Sequence, residues 1–413
     1  MEESPLESIN IHPFLEAAWN IAGLLKAHAT YTRSGRLAWY HPPRPTASIP
    51  STLLGPQLYH GSLGIALFLA AAGRIFDDGE LRDLCLETVS PLRREIREIV
   101  GDPIRSRRVE HPLGALVGLG SILYGLLHIG DALGDSTVLD DAHAVSALIT
   151  SDRISAEENW DVMGGLAGAL LALLALHRRR PGENLNGWTA LKLASECGRC
   201  FIAGAQRRPE GWPDFCGHPG PNGYCHGVSG IATALLGLFQ ETGTPDLLKV
   251  ARQAFAYERA LYVPAVKNWI LSSCKGAGFA NSWCKGAPGI AISRLSALGI
   301  FEDHLVGSEV ETALATTGDM PLSETDDLCC GNAGRLDILI YASERLEDPA
   351  LLRSALNLGS QFLVRARREG GYALKLARVG ILDLRLFPGL AGIGYAFLRL
   401  ATKRVIPCVL ALQ

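Results

Sequence analysis

Three short segments carry residues that could bind a metal ion or transfer protons. They are Tyr224-Cys225-His226, Trp283-Cys284-Lys285 and Cys329-Cys330, and a glycine follows each one. Zinc binds thiolate and imidazole ligands in tetrahedral geometry, and a catalytic zinc keeps one of its four positions open. Cys284, Cys329 and Cys330 would supply three thiolates and leave the fourth position for water or a substrate thiol. Adjacent cysteines could instead be buried and inert, but at a helix start in a turn flanked by glycine they are uncommon, so we favour a Zn2+ site formed by these three.

The other cysteines lack this context. In a reducing compartment thiols do not form lasting disulfides, so clustered cysteines there indicate metal binding or catalysis. Cys197 and Cys200 form a Cys-x-x-Cys pair inside a helix-like segment, but no second pair accompanies them, so we favour a packing role. Cys274 precedes Lys-Gly, as Cys284 does, but lacks the Pro-Gly and apolar run that follow Cys284, which indicates a loop residue. Cys225 is expected to line the site or pack beside it rather than bind the metal.

Two histidines are candidates for proton transfer. His226 stands directly before its glycine, the place that Lys285 and Cys330 take before theirs. An unperturbed imidazole titrates near neutral pH and can accept or donate a proton. His60 has the same place before Gly61. The residue pattern alone does not separate His226 from His60, and it assigns no role to Lys285.

These segments belong to a pattern that recurs along the chain. Gly-x-x-Gly, or Val-x-x-Gly in one case, starts at residues 61, 117, 165, 227, 286, 331 and 389, and an apolar run follows each time. The runs are rich in Ala and Leu, which favour helix, and several are apolar on nearly all sides, as in buried helices. Amphipathic stretches alternate with them, for example over residues 141–150, 187–204 and 349–365.

One buried and one amphipathic helix per repeat predict an all-α fold, an α/α toroid with about seven inner and seven outer helices. The period-two alternation of β-strands is scarce. We expect a single domain over residues 1–413, in which residues 1–50 form a helical or loop extension. If the inner helices all begin at the same end of the ring, the residues that precede the glycines converge on one site.

Composition limits the function classes. The formal net charge is -3 and there is no long Lys/Arg run, so we expect no nucleic acid partner. The first residues are acidic and amphipathic rather than basic and then apolar, which is unlike a secretory signal. The longest apolar run, residues 162–176, is too short to cross a bilayer. We expect a cytoplasmic protein with no transmembrane segment.

With these residues in view, the chain resembles the LanC-like lanthionine cyclases. It is most similar to the C-terminal cyclase domain of the class II (LanM-type) lanthipeptide synthetases. The resemblance extends over about residues 50–413, and its most specific carriers are SWCKGAPGIAISRL and LCCGNAGRLDILI. Further carriers are LYHGSLGIALFLA, WDVMGGLAGALLALL, GYCHGVSGIATALL and FPGLAGIGYAFLRL.

The resemblance implies a zinc-dependent enzyme that acts on a dehydrated precursor peptide. Cysteine thiols of the peptide would add to dehydroalanine or dehydrobutyrine and form thioether rings. The resemblance also implies zinc binding by Cys284, Cys329 and Cys330, proton transfer by His226, and an acidic residue, Asp161, beside that histidine.

Some positions depart from the family pattern. Many members have a histidine where this chain has Cys330. Ala280 stands where some stand-alone cyclases have an arginine, and Lys285 where Tyr or His is more usual. The dehydratase half of a class II enzyme does not stand in this sequence, which is compatible with a free-standing cyclase of LanM ancestry, an excised domain or a decayed remnant. A separate dehydratase would be the partner of a free-standing cyclase.

Three other functions are compatible with a toroid of this kind. A LanC-like enzyme could add glutathione to a damaged protein at the same zinc site. A toroid without catalysis could bind a peptide or a partner dehydratase. A helical-toroid glycosidase would need two carboxylates on the rim, and the sequence offers Asp161 no evident partner of that kind.

Overall fold

The computed structural model describes residues 10–40, 52–185, 187–207, 222–271, 278–300 and 303–413. Within these ranges the chain is mostly helical, with two short 3-10 helices and three hairpins of two-residue strands. The α-helices are α1 His12–Ala27, α2 Ser62–Ile75, α3 Gly79–Val100, α4 Pro103–Arg107, α5 Leu119–Leu133, α6 Ser136–Ser146, α7 Ser151–Ala156, α8 Leu166–Arg179, α9 Ala190–Arg207, α10 Val228–Thr242, α11 Pro245–Arg259, α12 Ala287–Ala297, α13 His304–Asp319, α14 Asn332–Leu346, α15 Pro349–Glu369 and α16 Leu390–Thr402.

The hairpins pair antiparallel strands: β1 Thr30–Tyr31 with β2 Leu37–Ala38, β3 Asn184–Leu185 with β4 Trp188–Thr189, and β5 Tyr262–Val263 with β6 Asn268–Trp269. They are too short to form a core of their own. Across the described ranges, we find no helix with the length and apolar character that a membrane span requires.

Seven apolar helices form a closed inner ring. In ring order they are α2, α5, α8, α10, α12, α14 and α16, and α16 contacts α2 again. Each one is buried on nearly all sides; in α8, for example, every residue from Leu166 to Leu176 is buried. A Cβ atom added at Gly168 would lie 2.3 Å from the amide nitrogen of Ala115, so this glycine allows two neighbouring repeats to approach closely.

Each inner helix begins at a glycine of the repeat pattern. The capping residues are Gly61, Gly118, Gly165, Gly227, Gly286, Gly331 and Gly389. In the second repeat the cap is Gly118 rather than Val117, which explains why that repeat lacks the first glycine. Gly118 adopts a φ of +121°, a conformation that favours glycine.

Seven amphipathic helices surround this ring. The pairs are α1 with α16, α3 with α2, α6 with α5, α9 with α8, α11 with α10, α13 with α12 and α15 with α14. In α15 the buried residues recur every three or four positions, as one apolar face requires: Leu352, Ala355, Leu358, Phe362 and Ala366. The predicted α/α toroid of seven inner and seven outer helices is therefore confirmed.

Both ends of the chain contribute to the ring. Helix α1 lies in the region expected to be an extension, yet it is the outer partner of α16, with the rings of Phe14 and Phe397 5.4 Å apart. Residues 406–412, here called the internal segment, are almost fully buried after α16. That residues 1–413 form one domain stays a prediction.

Candidate metal centre

The three predicted ligand cysteines lie together at the end of the ring where the inner helices begin. The Sγ atom of Cys330 lies 3.6 Å from that of Cys284 and 3.4 Å from that of Cys329. All three sulfur atoms lie within 4.8 Å of one another. Thiolates bound to one zinc at about 2.3 Å in tetrahedral geometry lie about 3.8 Å apart. The cluster therefore has the size and the donor atoms that a zinc ion requires.

Backbone contacts hold the cysteines in place. The amide of Cys330 donates to Oδ1 of Asp327 at 2.7 Å, and the amide of Cys329 donates to the carbonyl of Phe387 at 3.1 Å. The hydroxyl of Ser282 lies 3.4 Å from Sγ of Cys284. These hydrogen bonds restrict the orientation of the ligand residues, as the groups that hydrogen-bond metal ligands commonly do.

The loop that carries Cys284 depends on the glycine that follows it. Gly286 has a φ of +89°, and a Cβ atom there would lie 1.8 Å from the carbonyl oxygen of Ala280. The loop closes with the hydroxyl of Ser282 donating to the carbonyl of Lys285 at 3.0 Å. A side chain at position 286 would force this loop, and with it the Cys284 sulfur, to move.

The electrostatics of the cluster favour a cation. Hydrogen bonds from the thiols of Cys329 and Cys330 hold the pKa of Cys284 well below its usual value, and His226 lowers it further. The hydrogen bond to Cys284 raises the pKa of Cys330 to about 12, and the pKa of Cys329 rises for the same reason. One thiolate thus resists the formation of the next, and a divalent cation is what allows all three to ionise together.

His226 and Asp161 form a hydrogen-bonded pair at the same end of the ring. Nδ1 of His226 lies 2.7 Å from Oδ2 of Asp161, and the carboxylate is buried while 40% of the histidine side chain is exposed. The other oxygen, Oδ1 of Asp161, accepts the amides of Gly164 and Gly165 at 2.9 and 3.1 Å. This arrangement holds the proton on Nδ1 and leaves Nε2 to exchange a proton with a substrate.

Backbone hydrogen bonds join the segments that precede the inner helices. Cys329 donates to Phe387, Phe387 to Tyr59, Tyr59 to Leu116, Leu116 to Met163 and Met163 to Cys225, at 3.0 to 3.3 Å. These bonds connect the sixth, seventh, first, second, third and fourth repeats in order. Residues far apart in sequence are therefore held in one rim by the backbone.

The remaining candidates have different positions. His60 lies on the rim, with its ring 6.1 Å from that of Tyr59, and Lys285 is exposed beside Cys284. Cys225 is fully buried and is not a member of the sulfur cluster. Cys197 and Cys200 lie in the outer helix α9, and Cys274 lies outside the described residues.

Two residues near the sulfurs escaped the sequence analysis. Burial raises the pKa of Tyr59, and the neighbouring Cys329 sulfur raises it further. Lys375 is exposed, and the Cys330 thiolate raises the pKa of its amine. Tyr59 stands in the LYHG segment and could have been singled out by its place in the repeat. Lys375 follows no repeat motif, so the sequence carries no signal for it.

The chain was compared with known families and solved structures. It matches the family model described as "Lanthionine synthetase C-like protein" over residues 52–411. Its structure is similar to nisin cyclase with a TM-score of 0.59 and 16% identity, covering 86% of this chain and 92% of that one. At this identity the likeness shows a shared fold.

Two sugar epimerases are more distant matches. For a sugar epimerase from a ruminal bacterium the TM-score is 0.43 at 12% identity, covering 76% of this chain and 100% of that one. For cellobiose 2-epimerase from Spirochaeta thermophila DSM 6192 the TM-score is 0.43 at 15% identity, covering 76% and 97%. The family match spans most of the sequence and includes every residue of the cysteine cluster and the His226–Asp161 pair, and the chain belongs to the lanthionine synthetase C-like family.

Proposed function

We propose that this protein is a zinc-dependent lanthionine cyclase. It would add cysteine thiols of a dehydrated precursor peptide to dehydroalanine or dehydrobutyrine residues of the same peptide. The observation that carries the proposal is the meeting of three cysteine sulfurs within 4.8 Å of one another, in a chain that also holds a buried carboxylate against a partly exposed imidazole. Membership of the family and a fold shared with nisin cyclase support it.

Cys284, Cys329 and Cys330 would hold the zinc, and bound zinc would lower the pKa of a substrate thiol placed in its open position. The substrate sulfur then forms a bond to the β-carbon of the dehydro residue, and the electron pair of the double bond moves toward the neighbouring carbonyl. His226 donates a proton from its ring to the α-carbon, and Asp161 stabilises and orients the imidazole. The thiol loses one proton to solvent, the α-carbon gains one from His226, and His226 regains a proton from solvent, so the mass of the peptide does not change.

The three-cysteine ligand set has a chemical consequence. Three thiolates carry one more negative charge than two thiolates and a neutral histidine. We expect the extra charge to weaken the hold on a fourth sulfur and to leave that sulfur more nucleophilic. Cys330 is the ligand at which many family members have histidine, so it is the residue on which this difference depends.

The LanM-type relationship, the cytoplasmic location and a dehydratase partner belong to the same proposal. The segments around Cys284 and Cys330 support the LanM-type ancestry. A reducing compartment suits a site whose three ligands must stay as thiols or thiolates. A dehydratase must act before this enzyme, because the electrophile arises only when Ser or Thr loses water.

The test uses the purified chain, zinc and a synthetic peptide with one cysteine and one dehydroalanine. Cyclisation leaves the mass unchanged but removes the free thiol, so alkylation followed by mass spectrometry counts open peptides. We expect ring closure with the wild type, loss of bound zinc in Cys284→Ala, and a rate lowered by about 10²- to 10⁴-fold in His226→Asn. The matched control is His28→Asn, an exposed histidine at the end of α1.

Three results would redirect the proposal. An unchanged rate in His226→Asn would move the proton transfer to another residue, with His60 the next candidate. An intermolecular adduct formed only when glutathione is added would favour the glutathione-adding enzyme. A zinc-loaded wild type that binds the peptide without closing the ring would favour a binding toroid.

A further inference from the structure

The internal segment, residues 406–412, lies inside the ring against the inner helices. Val409, Leu410 and Ala411 have no exposed surface, and Leu412 is only 1% exposed. Side chains of four inner-ring repeats are hydrogen-bonded to it, namely Tyr224, Trp283, Asp337 and Tyr395, so it lies between these helices rather than on the outside of the ring. A buried backbone is stable only when its polar groups are hydrogen-bonded, and carbonyl groups of this segment accept hydrogen bonds from three of those side chains.

Two of those donors precede residues of the candidate site. The indole Nε1 of Trp283 donates to the carbonyl of Leu410 at 2.9 Å. The hydroxyl of Tyr224 donates to the carbonyl of Ala411 at 3.1 Å. Trp283 is followed directly by Cys284, and Tyr224 lies two residues before His226. Consecutive carbonyls of one segment thus anchor the loop of a candidate ligand and the loop of the candidate proton donor.

The same side chains belong to a row of contacting aromatic rings. The ring of Trp283 lies 5.8 Å from that of Tyr224 and 5.3 Å from that of Phe387. Phe387 stacks on Tyr59 with their centroids 4.8 Å apart, and its carbonyl accepts the amide of Cys329 at 3.1 Å. The row therefore connects the backbone of Cys329 with the loops of Cys284 and His226.

Both donors are fully buried, so their hydrogen bonds are costly to lose. Trp283 and Tyr224 have no exposed surface. A buried indole N–H or phenol is normally hydrogen-bonded, and its direction then fixes the rotation of the ring. A fixed ring at position 283 restricts the backbone that carries the next residue, Cys284. The same argument applies to Tyr224 and the short loop that ends at His226.

We propose that the internal segment positions the site, with Trp283 and Tyr224 as the positioning residues that connect it to Cys284 and His226. The proposal rests on the proposed function, because it concerns the same ligand and the same proton donor. It goes beyond that function in assigning a task to a buried segment that contains none of the candidate site residues.

The experiment compares Trp283→Phe, Tyr224→Phe and Tyr395→Phe in the full chain. The hydroxyl of Tyr395 on α16 donates to the carbonyl of Pro407 at 2.9 Å. Tyr395→Phe therefore removes a similar hydrogen bond to the same segment. Because Tyr395 is not adjacent in sequence to a candidate site residue, this variant serves as the matched control. Co2+ is the metal probe, since its thiolate absorption bands report the geometry of the sulfur ligands directly, and thermal unfolding is measured in parallel.

We expect Trp283→Phe to weaken Co2+ binding by about tenfold or more and to shift its absorption bands, as loss of supporting contacts does at other metal sites. Tyr224→Phe should lower kcat for ring closure with little change in KM, and leave Co2+ binding near that of the wild type. Tyr395→Phe should lower the melting temperature to a similar extent and change neither property.

The proposal is overturned if the three variants differ from the wild type only in melting temperature. It is equally overturned if Tyr395→Phe alters the Co2+ bands as much as Trp283→Phe does. If Trp283→Phe does not fold, the test is the comparison of kcat for ring closure between Tyr224→Phe and Tyr395→Phe. Equal kcat values in these two variants would then overturn the proposal. The Co2+ measurements need no peptide, so a wild type that binds Co2+ but closes no ring would contradict the proposed function and still test the positioning of Cys284.

Discussion

Nδ1 of His226 lies 2.7 Å from Oδ2 of Asp161, although the two residues belong to different repeats. The carboxylate is buried, and its second oxygen is occupied by two amides at the start of α8. An acceptor held in this way fixes which ring nitrogen carries the proton. We infer that the pair is built to present Nε2 to the substrate in one tautomer.

Replacing Asp161 tests this inference. In Asp161→Asn the amide can donate to Nδ1 and so moves the imidazole proton to Nε2, and the charge that stabilises the protonated ring is lost. We expect kcat for ring closure to fall by about 10²- to 10⁴-fold with zinc content unchanged. The comparison is with Asp152→Asn, an exposed residue in the first turn of α7. A rate equal to that of this control would show that the pair is structural.

The third cysteine ligand can be exchanged for the histidine found in many relatives. Cys330→His removes one negative charge from the ligand set, and we expect zinc to remain bound. The substrate thiolate should become less nucleophilic, because nucleophilicity falls with thiol pKa at a slope of about 0.4–0.5, and ring closure should slow by about three- to tenfold. Single-turnover rates with the synthetic peptide measure the chemical step. A faster rate with full zinc occupancy would contradict the charge argument.

A buried ion pair supports the loop that leads to His226. Oε1 of Glu258 accepts the amide of Gly223 at 3.0 Å, and Oε2 accepts Ser229 and Arg294 at 2.6 and 2.9 Å. Neither Glu258 nor Arg294 has an exposed side chain. Arg294 keeps a second acceptor, Oε2 of Glu309 at 2.7 Å from its Nε. Glu258→Ala therefore leaves the buried arginine with one partner instead of two, and we expect the free energy of unfolding to fall by about 3 kcal/mol, the lower end for a broken buried pair.

Denaturant unfolding measures this change. The double variant Glu258→Leu/Arg294→Met should lose less stability than its two single variants added together, since it removes both fully buried charges while Glu309 keeps its pair with Arg259. Arg378→Ala breaks an exposed pair with Glu324 and should cost no more than about 1 kcal/mol. Additive losses at Glu258 and Arg294 would mean that the two side chains are not coupled.

His128 predicts an acid-sensitive fold. Burial lowers its pKa to about 4, and its ring lies 4.2 Å from that of Tyr124. In the unfolded chain the pKa is about 6.5. Protonation of His128 therefore favours the unfolded state. The stability that the neutral histidine allows is fully present above pH 6.5 and is lost as the pH falls toward 4. The difference amounts to about 3 kcal/mol.

Unfolding free energies of the wild type and His128→Leu between pH 7 and pH 4 provide the measurement. Between pH 7 and pH 4 the unfolding free energy of the wild type should fall by about 3 kcal/mol more than that of His128→Leu. Parallel curves would show that His128 does not contribute. His28→Asn again controls for an exposed histidine.

The sequence by itself determined the class of the fold and the ends of its inner helices. Gly61, Gly165, Gly227 and the other repeat glycines mark the caps because a side chain there would collide with the preceding loop. Several of the runs that follow are apolar on nearly all sides, which only a buried helix accommodates. The candidate ligands could also be singled out, because Cys284 and Cys329 stand at matching places before two of these glycines and Cys330 directly follows Cys329.

The tertiary structure decided which of the residues before the glycines lie close together and which groups pack against them. The distance between Cys284 and Cys330 depends on the packing of α12 against α14, a contact between two repeats that neither segment specifies alone. The pairing of α1 with α16 and the burial of residues 406–412 likewise depend on contacts between segments far apart in sequence. Local pattern determines a helix and its cap, whereas contacts between distant repeats arise only when every repeat is packed.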